Sequence, residues 1–571
     1  MPERQSAAFP RKNWEREFHP LSTSGVAMRD DGGTTGANRK ADHVAQRPNI
    51  LFIMADQLRA DYLGCAGHPH IKTPNIDALA KRGVRFERCY IQSPVCGGSR
   101  MSFYSGRYNL THGATYNNFP LRVDEWTLGD YLRPHGYRSV LVGKTHFKPD
   151  LETMKRYGID PGTNPGLPYW QCGFEAYERD DGLHPEEYGD SDVAYNQWLR
   201  QKGYPGDSPW HTHANSVEGE DGSVQSGWQM RNARKPARVK EEHSETAYMT
   251  DRALEFISRH EAERPEQPWC LHLSYIKPHW PYIAPAPYHA MYGPEHVLPP
   301  NRSEAEASSP HPVIAAFMRH DESVNFSRQE VRETVIPTYM GLISQFDHHV
   351  GRVFAHLAKL GIADDTIIVV TSDHGDYLGD HWLGEKDLFH EEIVRIPMVV
   401  MDPRAPADAT RGTATTTLIE AIDLVPTFVD AAGGEPAPHR LEGRSILPLL
   451  QGATPDPWRD AVFCDSDFAL RHARKYLDLA VDEARGFMVR TERWKYIYFE
   501  KFAPQLFDLH ADAKELHDLG TSEAHEAIRE EMKDRLFRWA LSRKTRVNVT
   551  HEFIARMTGG ARARGIRFGE W

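Results

Sequence analysis

A chain of 571 residues that sets 68 Lys and Arg against 80 Asp and Glu has a net charge of −12. That balance argues against a binder of nucleic-acid backbones, which would be basic. Its 40% hydrophobic and 11% aromatic content suits a globular enzyme; length alone suggests about four domains, although large α/β enzymes run past that figure. No apolar run is long enough to span a bilayer. The six cysteines, Cys65, Cys89, Cys96, Cys172, Cys270 and Cys464, show no CxxC spacing, so neither a zinc site nor a disulfide framework is indicated, and a reducing, cytoplasmic setting fits.

Residues 1–47 are polar and Gly-rich, with no apolar core of a secretory signal, and read as a disordered tail. Asn49 to Met54 is an apolar run of strand length and predicts a fully buried, parallel strand. It ends at Asp56-Gln57, and ligands of open α/β sheets bind just beyond the carboxyl ends of strands. Both residues can offer oxygen to a cation. Thr73 as N-cap, Pro74 at the first helical position and Gly83 as a stop frame a helix. A strand follows from Val84 to Tyr90, and then Ser93-Pro-Val-Cys96-Gly-Gly-Ser-Arg100 leads into a candidate helix, Met101 to Tyr104. A small nucleophilic side chain, Cys96, would sit at a helix N-terminus, where free N–H groups and the helix dipole favour negative charge. Gly97 and Gly98 let backbone approach an anion, and Arg100 adds a fork that matches a tetrahedral oxyanion. The stretch predicts a site for sulfate, phosphate or phosphonate.

Arg138 to Val142 is another buried strand, delivering Lys144 and His146 to the same edge. Lys144 suits an anion's oxygen and His146 can orient the nucleophile. The polar stretch from Tyr169 to Glu242 predicts an insertion over the mouth that shapes substrate choice. Ser244 caps a helix through Ala247, Leu254 and Ile257. Trp269 to Tyr275 is a strand that runs into Lys277-Pro278-His279-Trp280-Pro281. The prolines fix His279, which can protonate a leaving oxygen, and Lys277 reads as a solvated neighbour. Apolar residues from Tyr339 to Leu357 form one helix face, ended by Gly361. Thr366 to Thr371 is a central strand followed by Asp373-His374, which complete a set of oxygen and nitrogen ligands with Asp56 and Gln57. An imidazole leans the set from pure Ca²⁺ chemistry towards Mn²⁺. Lys386 lies thirteen residues beyond Asp373, with Gly379-Asp380-His381 between them expected to line the mouth. After the strand Ile396 to Met401 and a helix from Asp423 to Ala432, a Pro-rich boundary precedes four short strands and a helix from about Ala524 to Ser542, a smaller α+β lobe.

Cys96, Ser99 and Arg100 resemble the Cys-x-Pro-Ser-Arg motif of sulfatases, a branch of the alkaline phosphatase superfamily. There the cysteine is oxidised to formylglycine, whose hydrate attacks the ester. The chain departs at Gly98, where the family usually has the proline that the modifying enzyme reads. Thr73-Pro-Asn-x-Asp-x-Leu-Ala80, Ser105-Gly-Arg107, Gly143-Lys-x-His146, Pro278-His-x-Pro281 and Asp373-His374 match further family elements in order. Lys144 and His146 look like arylsulfatases. Met488-Val-Arg-Thr491, Leu506-Phe-Asp-Leu509 and the ending Arg564 to Trp571 look more like bacterial phosphonate monoester hydrolases, whose terminal arm assists oligomers.

The resemblance implies an α/β fold: a large mixed, mostly parallel sheet sandwiched by helices over residues 48–453, a C-terminal α+β lobe over 454–545 and an arm over 546–571. It implies hydrolysis of sulfate monoesters through formylglycine at Cys96. The alternatives are phosphonate monoester or phosphodiester hydrolysis, and an unmodified anion-binding relative. One divalent ion, Mn²⁺ or Ca²⁺, would be held by Asp56, Gln57, Asp373 and His374 beside position 96. Arg100, Lys144 and Lys386 would stabilise developing charge, His279 would act as general acid, and His146 would orient the nucleophile. Asn117, Lys144, His279 and Lys386 would meet substrate. The implied partners are a small sulfate or phosphonate ester, the formylglycine-generating enzyme and copies of the chain in a dimer or tetramer, with no nucleic acid and no membrane.

Overall fold

The computed structural model describes residues 47–163, 169, 171–185, 193–558, 560 and 565. The tail expected over residues 1–47 lies, Arg47 apart, outside the described residues, as does most of the stretch after residue 558. The strands in chain order are Asn49–Asp56 (β1), Val84–Tyr90 (β2), Arg138–Gly143 (β3), Glu175–Arg179 (β4), Ser216–Glu218 (β5), Val224–Ser226 (β6), Trp269–Pro278 (β7), Thr366–Ser372 (β8), Arg395–Met401 (β9), Thr413–Thr415 (β10) and Ile419–Glu420 (β11). Nine of them form one sheet in the order β10-β2-β9-β8-β1-β7-β3-β4, with β11 also on β2, while β5 and β6 make a separate hairpin.

β1 shows why the apolar runs are continuous. Ile50, Phe52 and Met54 enter one apolar core, and Leu51, Ile53 and Ala55 enter the other. A strand covered on both faces has no polar side to alternate with, and each fully buried aliphatic or aromatic side chain contributes about 1.5–3 kcal/mol. The helices Pro74–Ala80 (α1), Glu245–Glu263 (α3) and Gln329–Leu360 (α4) fill one face. Cys96–Ser105 (α2) and Leu424–Ala431 (α5) fill the other, where the core continues into the C-terminal lobe. That lobe is an antiparallel meander, Ala461–Asp467 (β12), Arg485–Thr491 (β13), Trp494–Phe499 (β14) and Gln505–Asp508 (β15). Glu526–Leu541 (α6) packs on it through Met532, Leu536 and Trp539.

Within the large sheet β9 alone is antiparallel, to both β8 and β2; the remaining pairings are parallel. The carboxyl ends of β1, β3, β7 and β8 therefore open on one edge, and β2 leads to Cys96 there. Because β9 starts at that same edge, the β8–β9 connector that carries Lys386 never leaves it.

Three elements differ from the sequence expectation. α2 begins at Cys96, five residues before Met101, and so takes both glycines into its first turn. α4 starts at Gln329 and runs through Pro337, because its buried stripe extends back to Val331, Val335 and Ile336. The 169–242 segment is not a plain loop, since β4 extends the sheet beside β3. Among the described residues, no helix is long and apolar enough to cross a membrane.

Candidate active site

Asp56 ends β1, and Gln57 turns the chain with a φ of 66°. The Gln57 N–H donates to Asp373 Oδ1 at 3.0 Å, tying the end of β1 to the end of β8. Gln57 Nε2 donates to Asp376 Oδ2 at 2.6 Å, which leaves Oε1 to accept from Lys386 Nζ at 3.2 Å. Arg100 projects from α2 and is fully buried. Its Nε donates to Asp373 Oδ2 at 2.7 Å and its Nη2 to Asp56 Oδ2 at 3.2 Å. Nη1 donates to the Lys144 carbonyl at 2.9 Å and to Ser274 Oγ at 2.7 Å. The fork expected to meet a substrate oxyanion is thus committed to protein acceptors, and it braces the two carboxylates.

Cys96 is the first residue of α2, with Sγ 3.0 Å from His374 Nε2 and 3.9 Å from Asp56 Oδ1. Burial pushes the thiol up, but the charges of Lys386, His374 and Lys144, with a hydrogen bond from His146, outweigh it and hold the group well below its ordinary value. Lys144 follows β3 and places Nζ 2.6 Å from Asp56 Oδ2. Burial opposes its charge, yet Asp56 and Cys96 raise its pKa above the usual lysine value. On Asp56, burial and Cys96 act to raise the pKa, while Lys144, His279 and Arg100 hold it well below the carboxylate range.

His279 follows β7. Its Nδ1 lies 2.6 Å from the Trp280 carbonyl, which can only accept, so Nδ1 carries a hydrogen. Nε2 then accepts from Lys386 Nζ at 3.2 Å and faces Asp56 Oδ1 at 4.0 Å. Lys386 also pairs with Glu385 Oε1 at 3.1 Å. Burial works against the ammonium, but Cys96, Glu385 and Asp56 raise its pKa well above normal. Glu385 accepts from Trp280 Nε1 at 3.0 Å and lies 3.6 Å from Arg471 Nη2, whose Nε is 3.1 Å from Asp387 Oδ2. Ser466 Oγ donates to the Asp387 carbonyl at 2.9 Å. Through Ser466 and Arg471 the C-terminal lobe reaches the second lysine.

Asp56, Cys96, Asp373 and His374 each offer a ligand atom, all within 4.8 Å of one another and all buried. His374 Nδ1 is taken by the Gly375 carbonyl at 2.8 Å, so Nε2 is the edge presented to the group. Burial lowers the His374 pKa, but Asp373 and Cys96 raise it to about 9, as expected for an imidazole placed where positive charge belongs. Two carboxylates, an imidazole and the Gln57 amide oxygen fit a divalent cation. The residues present therefore suit the ion that the sequence implied.

The structure brings together Asp56, Gln57, Cys96, Arg100, Lys144, His279, Asp373, His374 and Lys386. His146 is half-buried with a φ of 55° and reaches the group through its hydrogen bond to Cys96. Asn117 supports rather than faces the site, because its Oδ1 accepts the Gly97 N–H at 2.7 Å. The two glycines admit protein neighbours, not an open anion cradle: a Cβ on Gly98 would lie 2.5 Å from Ser93 Oγ and 2.8 Å from Asn109 Oδ1. Lys277, expected in solvent, is 5% exposed. Its Nζ donates to Asn215 Oδ1 at 2.9 Å and the Pro281 carbonyl at 2.7 Å, since the 169–242 segment covers it. Asp380 and His381 do not line the mouth. Asp380 pairs with Arg59 at 2.6 Å, His381 stacks on His390 at 3.9 Å, and the cavity of about 430 Å³ beside Asp380 holds none of the candidate residues. Asp181 was missed. Its Oδ1 accepts from the N–H groups of Thr145 at 2.7 Å and His146 at 2.9 Å, setting the Lys144–His146 turn. It follows the end of β4, so the strand-end rule finds it once that strand is recognised.

A wide sheet that gathers carboxylates, an imidazole and buried cations at one carboxyl edge, with an antiparallel lobe beside it, defines a hydrolase of the alkaline phosphatase type. The sulfatase family model matches residues 48–434, and that of the N-sulphoglucosamine sulphohydrolase C-terminal region matches residues 379–542. The chain belongs to the sulfatase family. It is 32% identical over 527 residues to the multifunctional alkaline phosphatase superfamily protein PehA of Trinickia caryophylli, covering 88% of this chain and 97% of that one. It is 26% identical over 501 residues to an arylsulfatase of Clostridium perfringens, covering 84% and 91%. Of solved structures, the phosphonate monoester hydrolase SpPMH from Silicibacter pomeroyi matches with a TM-score of 0.76 at 28% identity, over 88% of this chain and 98% of that one.

Proposed function

We propose that the protein hydrolyses sulfate monoesters, with Cys96 converted to formylglycine and a divalent ion, Mn²⁺ or Ca²⁺, held by Asp56, Gln57, Asp373 and His374. The observation that carries this reading is the charge balance around position 96. Asp56, Asp373 and Glu385 are matched by Arg100, Lys144 and Lys386 in direct contacts. Counted over these six side chains, a divalent ion leaves two positive charges to be met. An ionised nucleophile and a monoanionic ester meet them; a dianionic phosphate monoester exceeds them.

The bound ion would lower the pKa of the attacking hydroxyl and offset the ester's charge. The formylglycine hydrate would supply one hydroxyl to attack sulfur and a second whose deprotonation expels sulfate and restores the aldehyde. Lys144 and Lys386 approach from different strand ends and stabilise the charge that grows on the transferred group. Arg100 holds the two carboxylates in place. His146, hydrogen-bonded to position 96, orients the attacking group. The His279–Lys386 pair delivers a proton to the leaving oxygen, with the imidazole aimed by the Trp280 carbonyl.

A second reading, hydrolysis of phosphonate monoesters or phosphodiesters, draws support from the structural match to a phosphonate monoester hydrolase. Those substrates are also monoanions and meet the same charge balance. The formylglycine-generating enzyme is the partner this chemistry requires, and a dimer or tetramer is the proposed assembly. Mass spectrometry of the peptide spanning Cys96 should show a loss of about 18 Da relative to cysteine. Turnover of p-nitrophenyl sulfate should exceed that of a p-nitrophenyl phosphonate ester. Active protein with an intact thiol discards the formylglycine chemistry, and the reverse substrate order installs the second reading.

A further inference from the structure

Trp228 leaves 38% of its surface exposed, a large apolar side chain presented to solvent beside a buried catalytic centre. Its ring lies 5.6 Å from that of Trp280 and 6.0 Å from that of Trp210. Trp280 in turn lies 4.3 Å from the His279 imidazole. The row His279–Trp280–Trp228 thus runs from the proposed proton donor outward. It is also rigid. Trp280 Nε1 is fixed by Glu385, and Trp210 Nε1 donates to Glu245 Oε1 at 2.5 Å. The Gly227 N–H donates to the Asn215 carbonyl at 3.0 Å, an approach so close that a Cβ on Gly227 would sit 2.3 Å from that oxygen. Asn215 Oδ1 then accepts from Lys277, which holds the Pro281 carbonyl. The buried lysine outside the mechanism therefore clamps the segment bearing Trp228 onto the loop bearing His279.

We infer that Trp280 and Trp228 form an aromatic subsite for the leaving group, and that the ester's alcohol is a fused two-ring or longer aryl group. The inference rests on the sulfatase reading and specifies its substrate. A proton donor lies against the leaving oxygen, so whatever borders His279 on the outward side borders the leaving group. One aryl ring reaches Trp280 and a second reaches Trp228. Offset or edge stacking on a rigid ring is favourable beyond the area it buries.

The test compares phenyl and 2-naphthyl sulfate, whose leaving groups have nearly equal acidity, on the metal-loaded, full-length protein. Trp228→Ala should raise KM for the naphthyl ester about five- to tenfold, with kcat and the phenyl ester within twofold of the parent, and Trp228→Phe should restore most of the loss. Calorimetric titration with 2-naphthol alone provides a readout independent of turnover, and the alanine variant should weaken its binding by a similar factor. Equal losses for both esters, or 2-naphthol binding that is undetectable or indifferent to Trp228, overturns the subsite. Naphthol binding that depends on Trp228 in a protein that turns over neither ester keeps the subsite and removes the sulfatase reading.

Discussion

Lys144 and Lys386 do not act alike, because different carboxylates hold them. Lys144 shares Asp56 with the proposed ion, whereas Lys386 leans on Glu385 and touches His279. Replacing Lys386 by Ala should lower kcat by roughly a hundred- to a thousandfold, the usual cost of one lost donor to developing charge. Replacing His279 by Ala should cost little with p-nitrophenyl sulfate and far more with phenyl sulfate, since only the poorer leaving group needs the proton; a loss independent of leaving-group acidity would remove the acid role. Arg100→Ala should act mainly on the fold and the ion site. It strands Asp56 and Asp373 in the interior, and removing one partner of a buried pair costs about 3–5 kcal/mol. Urea unfolding and metal titration both report it. The residue types at these positions were legible in the chain. Their partners were not, because Gln57 and Lys386 are 329 residues apart, and nothing local says that Arg100 spends its donors on neighbours or that Asp181 steers the Lys144 turn.

At the scale of elements, legibility followed burial. β1, β3, β7 and β8 stood out because strands covered on both faces carry uninterrupted apolar runs, and the candidate residues lie at their ends. α2 did not, because two glycines are poor helix formers and suggest a loop. The helix takes them because Ser93, Asn109, Tyr116 and Asn117 crowd its first turn. This bears on the family's missing proline. Gly98→Pro is permissible for the backbone of a first turn, but its ring would press on Ser93 and Asn109. Overpacking of that kind costs about 1–3 kcal/mol. The variant should be destabilised by that amount in chemical denaturation, and adding Ser93→Ala should recover part of it. An unchanged midpoint for Gly98→Pro alone would mean that Ser93 has somewhere else to go.

For the molecule as a whole, the lobe is bound to the body by titratable groups. Asp465 on β12 accepts from Asn109 Nδ2 at 2.7 Å and from the Leu110 N–H at 3.2 Å. Burial raises its pKa to about 7, against the lowering effect of those hydrogen bonds. The folded value lies above the unfolded one, about 3.9. The native state therefore holds the extra proton, and the contribution to stability is present at low pH and lost as pH rises through about 7. Denaturant midpoints should fall between pH 5 and pH 8 more steeply for the parent than for Asp465→Asn, which has no proton to lose. Parallel slopes would place the titration elsewhere.

The reversed strand β9 has a consequence for what can be cut away. Since β8 ends and β9 begins on the same side, the connector between them bends back on itself at the reaction centre without passing behind the sheet. Ser466, Arg471 and Lys495 roof it over, Lys495 donating to the Phe389 carbonyl at 2.9 Å. The lobe that begins at β12 is thus a wall of the chemistry and not an accessory. A gene truncated before β12 should yield a sheet with an unseated lysine, and a split protein should regain turnover only when both fragments are made together.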